Sequence, residues 1–128
     1  MSDTTQPLTL VVLISGRGSN LKTILDVIKC GEFLAVVSAV ISNRADAVGL
    51  DYARQENIDT LALDADDYPD AESYDRALQG LIDCFQPALV VLAGFMRILT
   101  PGFVQHYHHK LINIHSSLLP EFRGFHIY

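Results

Sequence analysis

Apolar residues along this chain fall alternately into continuous runs and into sets spaced three or four positions apart. The continuous runs predict strands that are buried on both faces, at residues 8–14, 34–41, 60–63, 88–93 and 111–115. The spaced sets predict amphipathic helices, from residue 19 or 20 to 30, at 45–55, within 66–85 with Pro69 in the first turn, and at 101–107. Strands that alternate with helices predict an α/β fold with an open parallel sheet and helices on both faces.

Length and composition narrow the class of protein. The 128 residues suit one domain, and a hydrophobic content of 49% predicts a packed core. A net charge of −6 argues against a nucleic-acid surface but allows a small anionic ligand at a locally positive site. No apolar run approaches the roughly 18 residues of a membrane span. The N-terminus lacks the basic segment of a secretory signal, so the cytoplasm is the expected location.

The turn "SGRGSN" follows the first predicted strand, at the sheet edge where open parallel sheets bind ligands. Gly16 and Gly18 would let backbone N–H groups approach a phosphate, and Ser19 and Asn20 would add donors at a helix N-terminus. The alternative is a tight turn in which Ser19 or Asn20 caps the helix. The turn lacks the lysine of a P-loop, and Leu21 replaces the third glycine of a dinucleotide fingerprint, so both alternatives stay open.

Two polar residues, Asn113 and His115, end the last predicted strand in "NIHSSLLP". Residues two apart on a strand share a face, so both side chains are expected on the side opposite Ile112 and Ile114. Burying two polar side chains in an apolar strand costs free energy unless they are hydrogen-bonded or serve a function. It predicts either caps for neighbouring loops or donors that stabilise an oxyanion.

The segment "GFMRIL" follows the fourth predicted strand. Four apolar residues with a single arginine would suit a flat heteroaromatic ligand, and they would equally suit core packing beneath a loop.

Histidines and cysteines give no strong sign of a metal site. The run "HYHH" places His106 and His109 one helical turn apart, but no carboxylate or cysteine accompanies them at ligand spacing. A solvated helix end is the simpler interpretation. Cys30 and Cys84 lie in different predicted helices, and we expect them to be reduced packing residues.

Five segments that together span nearly the whole chain carry a resemblance to a known family. They are "VVLISGRGSNL", "ISNRADAVGLDYAR", "YDRAL", "VVLAGFMRILTP" and "LINIHSSLLPEFRG". The chain resembles the glycinamide ribonucleotide transformylases, folate-dependent formyltransferases of de novo purine synthesis. The resemblance implies a Rossmann-like sheet and a single formyltransferase-type nucleotide-binding domain over residues 1–128, without the C-terminal part of the family.

The resemblance also implies roles for residues at the three strand ends. Small-molecule substrates are the implied partners, with 10-formyltetrahydrofolate as formyl donor and no metal, nucleic acid or membrane. The Leu119–Pro120 peptide bond would be cis. The implied phosphate ligands are Gly18, Ser19 and Asn20, the implied folate contacts are Met96, Arg97, Ile98, Leu99 and Asn113, and the implied catalytic residues are Asn113 and His115.

Compared with the family pattern, the sequence ends before an aspartate that supports the catalytic histidine. The resemblance therefore implies little or no transformylase activity for the 128-residue chain. It also implies that the strand at 111–115 lacks a sheet neighbour, which predicts self-association through an exposed apolar edge.

Two other functions fit the same motifs. One is a formyltetrahydrofolate deformylase, in which water is the nucleophile. The other is a non-catalytic phosphate- or nucleotide-binding remnant. Binding of a nucleotide phosphate at residues 18–20 distinguishes the transformylase from the deformylase, because only the transformylase needs that site.

Overall fold

A computed structural model describes residues 7–114 and the backbone of residues 125–127. Its strands are β1 (Leu8–Ile14), β2 (Ala35–Ser42), β3 (Asp59–Ala62), β4 (Leu89–Ala93), β5 (Leu111–Ile114) and β6 (Phe125–Ile127). Its helices are α1 (Ser19–Lys29), α2 (Val48–Gln55), α3 (Ala71–Cys84) and α4 (Pro101–His106), with a short 3-10 turn at Ala65–Asp67. The strands form one sheet in the order β3-β2-β1-β4-β5-β6.

The sheet is covered on both faces because its central strands β1 and β4 are apolar at every position except Thr9. Within β1, Leu10, Val12 and Ile14 pack on the side of α1 and α2. Val11 and Leu13 alternate with them and pack on the side of α3 and α4. The predicted α/β architecture is confirmed, and β1 to β5 run parallel.

Two predicted helix starts were wrong. Helix α2 begins at Val48 rather than at 45, because the chain is extended at Ala47 and turns before it. Helix α3 begins after Asp70, whose carboxylate accepts a hydrogen bond from the Ser73 N–H at 2.7 Å. Pro69 therefore lies before the helix rather than in its first turn, because the aspartate is the better N-cap.

The two cysteines lie at helix ends and are exposed, so the prediction that they are packing residues was wrong. Cys30 follows the last residue of α1, and Cys84 is the last residue of α3. Side chains at such positions point past the apolar stripe of an amphipathic helix, so they do not enter the core.

Strand β5 has a neighbour on each side, which corrects the prediction of an open edge at residues 111–115. Backbone pairing joins β5 to β4 in parallel and to β6 in antiparallel orientation. The antiparallel partner requires the chain to reverse direction after β5, and the hydrophobic pattern contains no signal for this reversal. The open edge of this strand was the reason for predicting self-association, and its pairing with β6 removes that reason. None of the helices in the described ranges has both the length and the hydropathy of a membrane span.

Candidate functional site

A cavity of about 570 Å³ lies at the carboxyl edge of the sheet, beyond the ends of β1, β2 and β4. The chain leaves β1 toward β2 and β3 and then crosses back to β4 on the other side of β1. Such a reversal of strand order opens a crevice in which doubly wound folds bind ligands. The residues that line the cavity are Ser15, Gly16, Arg17, Gly18, Ser19, Asn20, Asn43, Arg44, Ala93, Gly94 and Met96.

The glycine-rich loop, residues 15–18, takes its shape from close backbone packing. Gly18 has a φ of +78°, and a Cβ added to it would lie 2.4 Å from the Cα of Gly49. The Gly49 N–H also donates to the Gly16 carbonyl at 3.1 Å. A side chain at either Gly18 or Gly49 would push α2 away from the loop, so this pair of glycines lets helix and loop meet.

The residues after this loop do not cap the helix as one alternative predicted. The N-cap of α1 is Gly18, and no side chain makes a cap hydrogen bond there. Ser19 is exposed on the cavity. Asn20 is 7% exposed, and its Nδ2 donates to the Ile114 carbonyl at 3.4 Å, so it connects α1 to the end of β5. The capped-turn alternative was therefore wrong.

Two arginines line the cavity of this acidic protein. Arg17 lies in the glycine-rich loop, and Arg44 follows β2. Arg44 pairs with Asp46 at 3.2 Å, and its hydrogen bond holds the pKa of that exposed carboxyl below the usual value. Sequence reasoning missed Asn43 and Arg44, although polar residues directly after a strand were the signal used for the other strand ends.

The β4–α4 loop, residues 94–100, presents apolar side chains to solvent beside the cavity. Met96 and Ile98 are 80% and 93% exposed, whereas Phe95 and Leu99 pack against the core beneath α3 and α4. The guanidinium of Arg97 lies 4.1 Å from the centre of the Tyr74 ring. Core packing beneath the loop is therefore confirmed for Phe95 and Leu99, while a ligand at the outward-facing Met96 and Ile98 stays a prediction.

Asn113 lies on β5, next to β4 at the same carboxyl edge. Ile112 and Ile114 pack on the α1 and α2 side of the sheet, while Leu111 packs on the opposite side. By strand alternation Asn113 shares the face of Leu111, as predicted. The other predicted features of this segment, His115 and the cis bond at 119–120, lie outside the described residues.

The histidine run makes other contacts in the part of the chain that is described. His106 Nε2 lies 2.9 Å from Asp83 Oδ2, and the rings of His108 and His109 are 3.8 Å apart. Asp83 also accepts from the Tyr107 hydroxyl at 2.7 Å, and burial followed by this hydrogen bond raises the pKa of Tyr107. No group of three or more metal-binding side chains occurs within the described residues.

Comparison with known proteins identifies the family to which the chain belongs. The family model described as formyl transferase matches residues 8–128, which is nearly the whole chain. The chain belongs to the formyl transferase family.

Similar proteins carry the names of two different enzymes. The chain is 54% identical over 117 residues to the phosphoribosylglycinamide formyltransferase of Escherichia coli K12, covering 91% of this chain and 55% of that protein. The solved phosphoribosylglycinamide formyltransferase of Coxiella burnetii matches with a TM-score of 0.84 and 48% identity, over 93% of this chain and 56% of that one. A formyltetrahydrofolate deformylase of Pseudomonas putida matches with a TM-score of 0.80 and 27% identity, over 96% and 43%. The chain spans about half the length of the curated relatives it matches.

Proposed function

We propose that this chain takes part in transferring a formyl group from 10-formyltetrahydrofolate to the amine of glycinamide ribonucleotide, in the cytoplasm. The observation that carries the proposal is a shared cavity. The glycine-rich loop and the β4–α4 loop line it together at the point where strand order reverses. Similarity to phosphoribosylglycinamide formyltransferases, at 54% identity to the E. coli protein, supports this substrate pair over other ligands.

The phosphate of the ribonucleotide would bind at the glycine-rich loop. Helix α1 is eleven residues long, and its N-terminal N–H groups and dipole favour an anion beside Gly18. The Ser19 hydroxyl is exposed there, and Arg17 supplies positive charge. Asn20 would contribute mainly by holding the helix start against β5, since its Nδ2 already donates to a carbonyl.

The folate would bind against the β4–α4 loop. Exposed Met96 and Ile98 supply apolar contact for a flat ring, with Leu99 behind them. Arg97 would support the loop through its contact with Tyr74 while its backbone stays available to the ligand. These residue types fit a pteridine, which needs an apolar surface edged by backbone donors and acceptors.

The chemistry would be acyl transfer, with Asn113 and His115 as donors to the oxyanion. The substrate amine attacks the formyl carbon, a new C–N bond forms, and the bond from that carbon to N10 breaks. One proton leaves the amine and one reaches N10, so the folate departs as tetrahydrofolate. A carboxamide at the carboxyl edge, where Asn113 lies, suits a hydrogen-bond donor to the developing negative charge.

Calorimetric titration tests the phosphate site first. We expect glycinamide ribonucleotide to bind and the corresponding riboside, which lacks the phosphate, to bind far more weakly. Ser19→Ala should weaken ribonucleotide binding by about tenfold, because one hydrogen bond to a charged group is lost. Thr23→Ala is the matched control, since its exposed hydroxyl lies outside the cavity and donates to the Ser19 carbonyl one turn earlier on α1 at 3.1 Å, a bond within the helix. Equal affinity for ribonucleotide and riboside would contradict the proposal.

The deformylase is the second candidate, because the P. putida deformylase shares the fold at a TM-score of 0.80. Release of formate from 10-formyltetrahydrofolate without ribonucleotide would favour it. Formyl transfer that depends on ribonucleotide would favour the transformylase. Ribonucleotide binding without either reaction would favour a non-catalytic nucleotide-binding protein.

A further inference from the structure

The β4–α4 loop needs support from elsewhere, because residues 94–100 contain no helix or strand. Two of its apolar side chains, Met96 and Ile98, are almost fully exposed. A loop with this composition would lose conformational freedom on binding a ligand unless it were already held. Side chains from two other elements hold it.

Ser15 holds the first half of the loop. Its hydroxyl accepts a hydrogen bond from the Met96 N–H at 2.6 Å, across 81 positions of sequence. Ser15 is 5% exposed and directly follows β1, so its position is fixed by the central strand of the sheet. The contact ties the β4–α4 loop to the glycine-rich loop.

Asp75 holds the end of the loop from helix α3. Its Oδ2 accepts from the Thr100 N–H at 2.8 Å, and the residue is 1% exposed. Its Oδ1 is buried without a hydrogen-bond partner among the described residues. A buried carboxylate on a helix face is costly without a partner, and the hydrogen bond that Asp75 accepts from the Thr100 N–H offsets part of that cost.

Tyr74, the neighbour of Asp75 on α3, supports the middle of the loop. Its ring contacts the guanidinium of Arg97, and its hydroxyl donates to the Leu63 carbonyl at 2.7 Å. Burial raises the pKa of Tyr74 to about 12, so the hydroxyl remains a donor at neutral pH. With Arg97 drawn inward, Met96 and Ile98 on either side of it point outward.

We infer that Asp75, assisted by Ser15, is a positioning residue that holds the β4–α4 loop in the conformation that binds folate. The inference rests on the proposed function, in which this loop contacts the folate. Asp75 lies outside the cavity, and Ser15 lines it with its hydroxyl already bonded to the Met96 N–H. Each fixes one backbone N–H of the loop, so that ordering is complete before binding.

The test compares the affinities of two ligands and the hydrogen-exchange rates of two backbone amides. Affinities for 5-formyltetrahydrofolate and for glycinamide ribonucleotide are measured by calorimetry in Asp75→Ala, Asp75→Asn and Ser15→Ala. Hydrogen exchange of the Met96 and Thr100 amides is measured in the same proteins. Asp83→Ala is the matched control, because Asp83 is also a hydrogen-bonded acid on α3 but contacts His106 and Tyr107 at the end of α4 rather than the loop.

We expect Asp75→Ala to weaken folate binding by about tenfold and ribonucleotide binding by less than about twofold. Asp75→Asn keeps an acceptor and should recover part of the loss. Exchange should accelerate at Thr100 in the Asp75 variants and at Met96 in Ser15→Ala. If Asp75→Ala does not fold, Asp75→Asn carries the comparison of the two ligands, and Ser15→Ala carries the amide-exchange measurement.

Unchanged folate affinity and unchanged amide exchange in these variants would overturn the inference. So would equal losses for both ligands in Asp75→Ala and in the Asp83→Ala control, which would indicate a general effect of destabilising α3. Absence of folate binding by the unsubstituted protein would instead contradict the proposed function. The exchange rates would then still decide whether Asp75 and Ser15 hold the loop.

Discussion

Two loops at the same sheet edge are built in different ways. The glycine-rich loop owes its shape to backbone crowding between Gly18 and Gly49, which leaves no space for a side chain. The β4–α4 loop is held by hydrogen bonds that its Met96 and Thr100 N–H groups donate to Ser15 and Asp75, which lie far away in sequence. Backbone packing that excludes side chains holds the glycine-rich loop, whereas side-chain hydrogen bonds hold the β4–α4 loop.

This difference has a functional consequence. Backbone crowding gives a rigid anion cradle that cannot be altered without disturbing how α2 packs on the sheet. The β4–α4 loop is held by separate side-chain hydrogen bonds. Because each bond contributes separately, the loss of one should shift the position of the loop only slightly. Substitutions should therefore affect folding most at the first loop and local order most at the second.

The largest effect is expected for Gly18→Ala. The new Cβ would meet the Gly49 backbone at 2.4 Å, at a φ of +78° that alanine disfavours. Strain and overpacking together should lower the free energy of unfolding by about 3 kcal/mol or more. Urea unfolding followed by circular dichroism measures it.

Gly16→Ala is the matched control for Gly18→Ala. A Cβ at Gly16 would meet nothing within 4 Å, so we expect a change of no more than about 0.5 kcal/mol. Equal losses at both positions would mean that the loop depends on glycine flexibility rather than on its packing against α2.

An intermediate effect is expected for Thr100→Ala at the end of the second loop. The Thr100 hydroxyl caps α4 by accepting from the Phe103 N–H at 3.3 Å, and its loss should cost about 1 kcal/mol of stability. Thr100→Ser keeps the cap and should stay close to the unsubstituted protein in thermal unfolding. The backbone N–H that donates to Asp75 survives both changes, so a large loss of folate affinity would show that the cap also positions the loop.

A smaller effect of opposite sign is expected for Gly80→Ala in α3. Gly80 is exposed inside the helix, and an added Cβ would meet nothing within 4 Å. Alanine should therefore stabilise the protein by about 0.5 to 1 kcal/mol through lower unfolded-state entropy. A loss of stability in the same urea assay would mean that glycine is required there for packing, as it is at Gly18.

The smallest effect concerns pH and the start of α3. The Ser73 N–H donates to Asp70 and lowers the pKa of its carboxyl below the model-compound value of 3.8. A lowered pKa means that the stabilisation is complete above about pH 4 and is lost as the pH falls through the folded-state pKa. Melting temperatures of the unsubstituted protein and Asp70→Asn should therefore differ by a constant amount from pH 7 to 5, and the difference should shrink as the pH falls below about 4. Asp67→Asn, an exposed acid before the helix, serves as control, and a convergence as large in this control would contradict a role for the cap.

Local pattern accounts for much of the fold and part of the candidate site. The five parallel strands follow from apolar runs, and the glycine-rich loop follows from two glycines between a strand and a helix. The placement of Met96 beside that loop follows from the rule that parallel strands end at one edge. Asn43 and Arg44 obey the same rule and could have been found by it, since they directly follow β2.

Local sequence pattern could not predict the contacts between segments that are distant in the chain. Ser19 and Asn20 are both good capping residues, yet the N-cap of α1 is Gly18, whose backbone packs closely on Gly49. The hydrophobic pattern predicts that Asp75 is one more polar position on an amphipathic helix. Its burial and its bond to Thr100, 25 positions away, depend on how α3 lies against the β4–α4 loop.

The sequence by itself determined the order of the elements, the strand edge at which a ligand would bind and the residue types available there, because hydrophobic periodicity and glycine conformation are local properties. Only the tertiary structure decided which backbone groups those residues hold, since burial and hydrogen bonding depend on neighbours that the chain brings together. The pairing of β5 with β6 is of the same kind, because a strand's partner depends on where the chain returns.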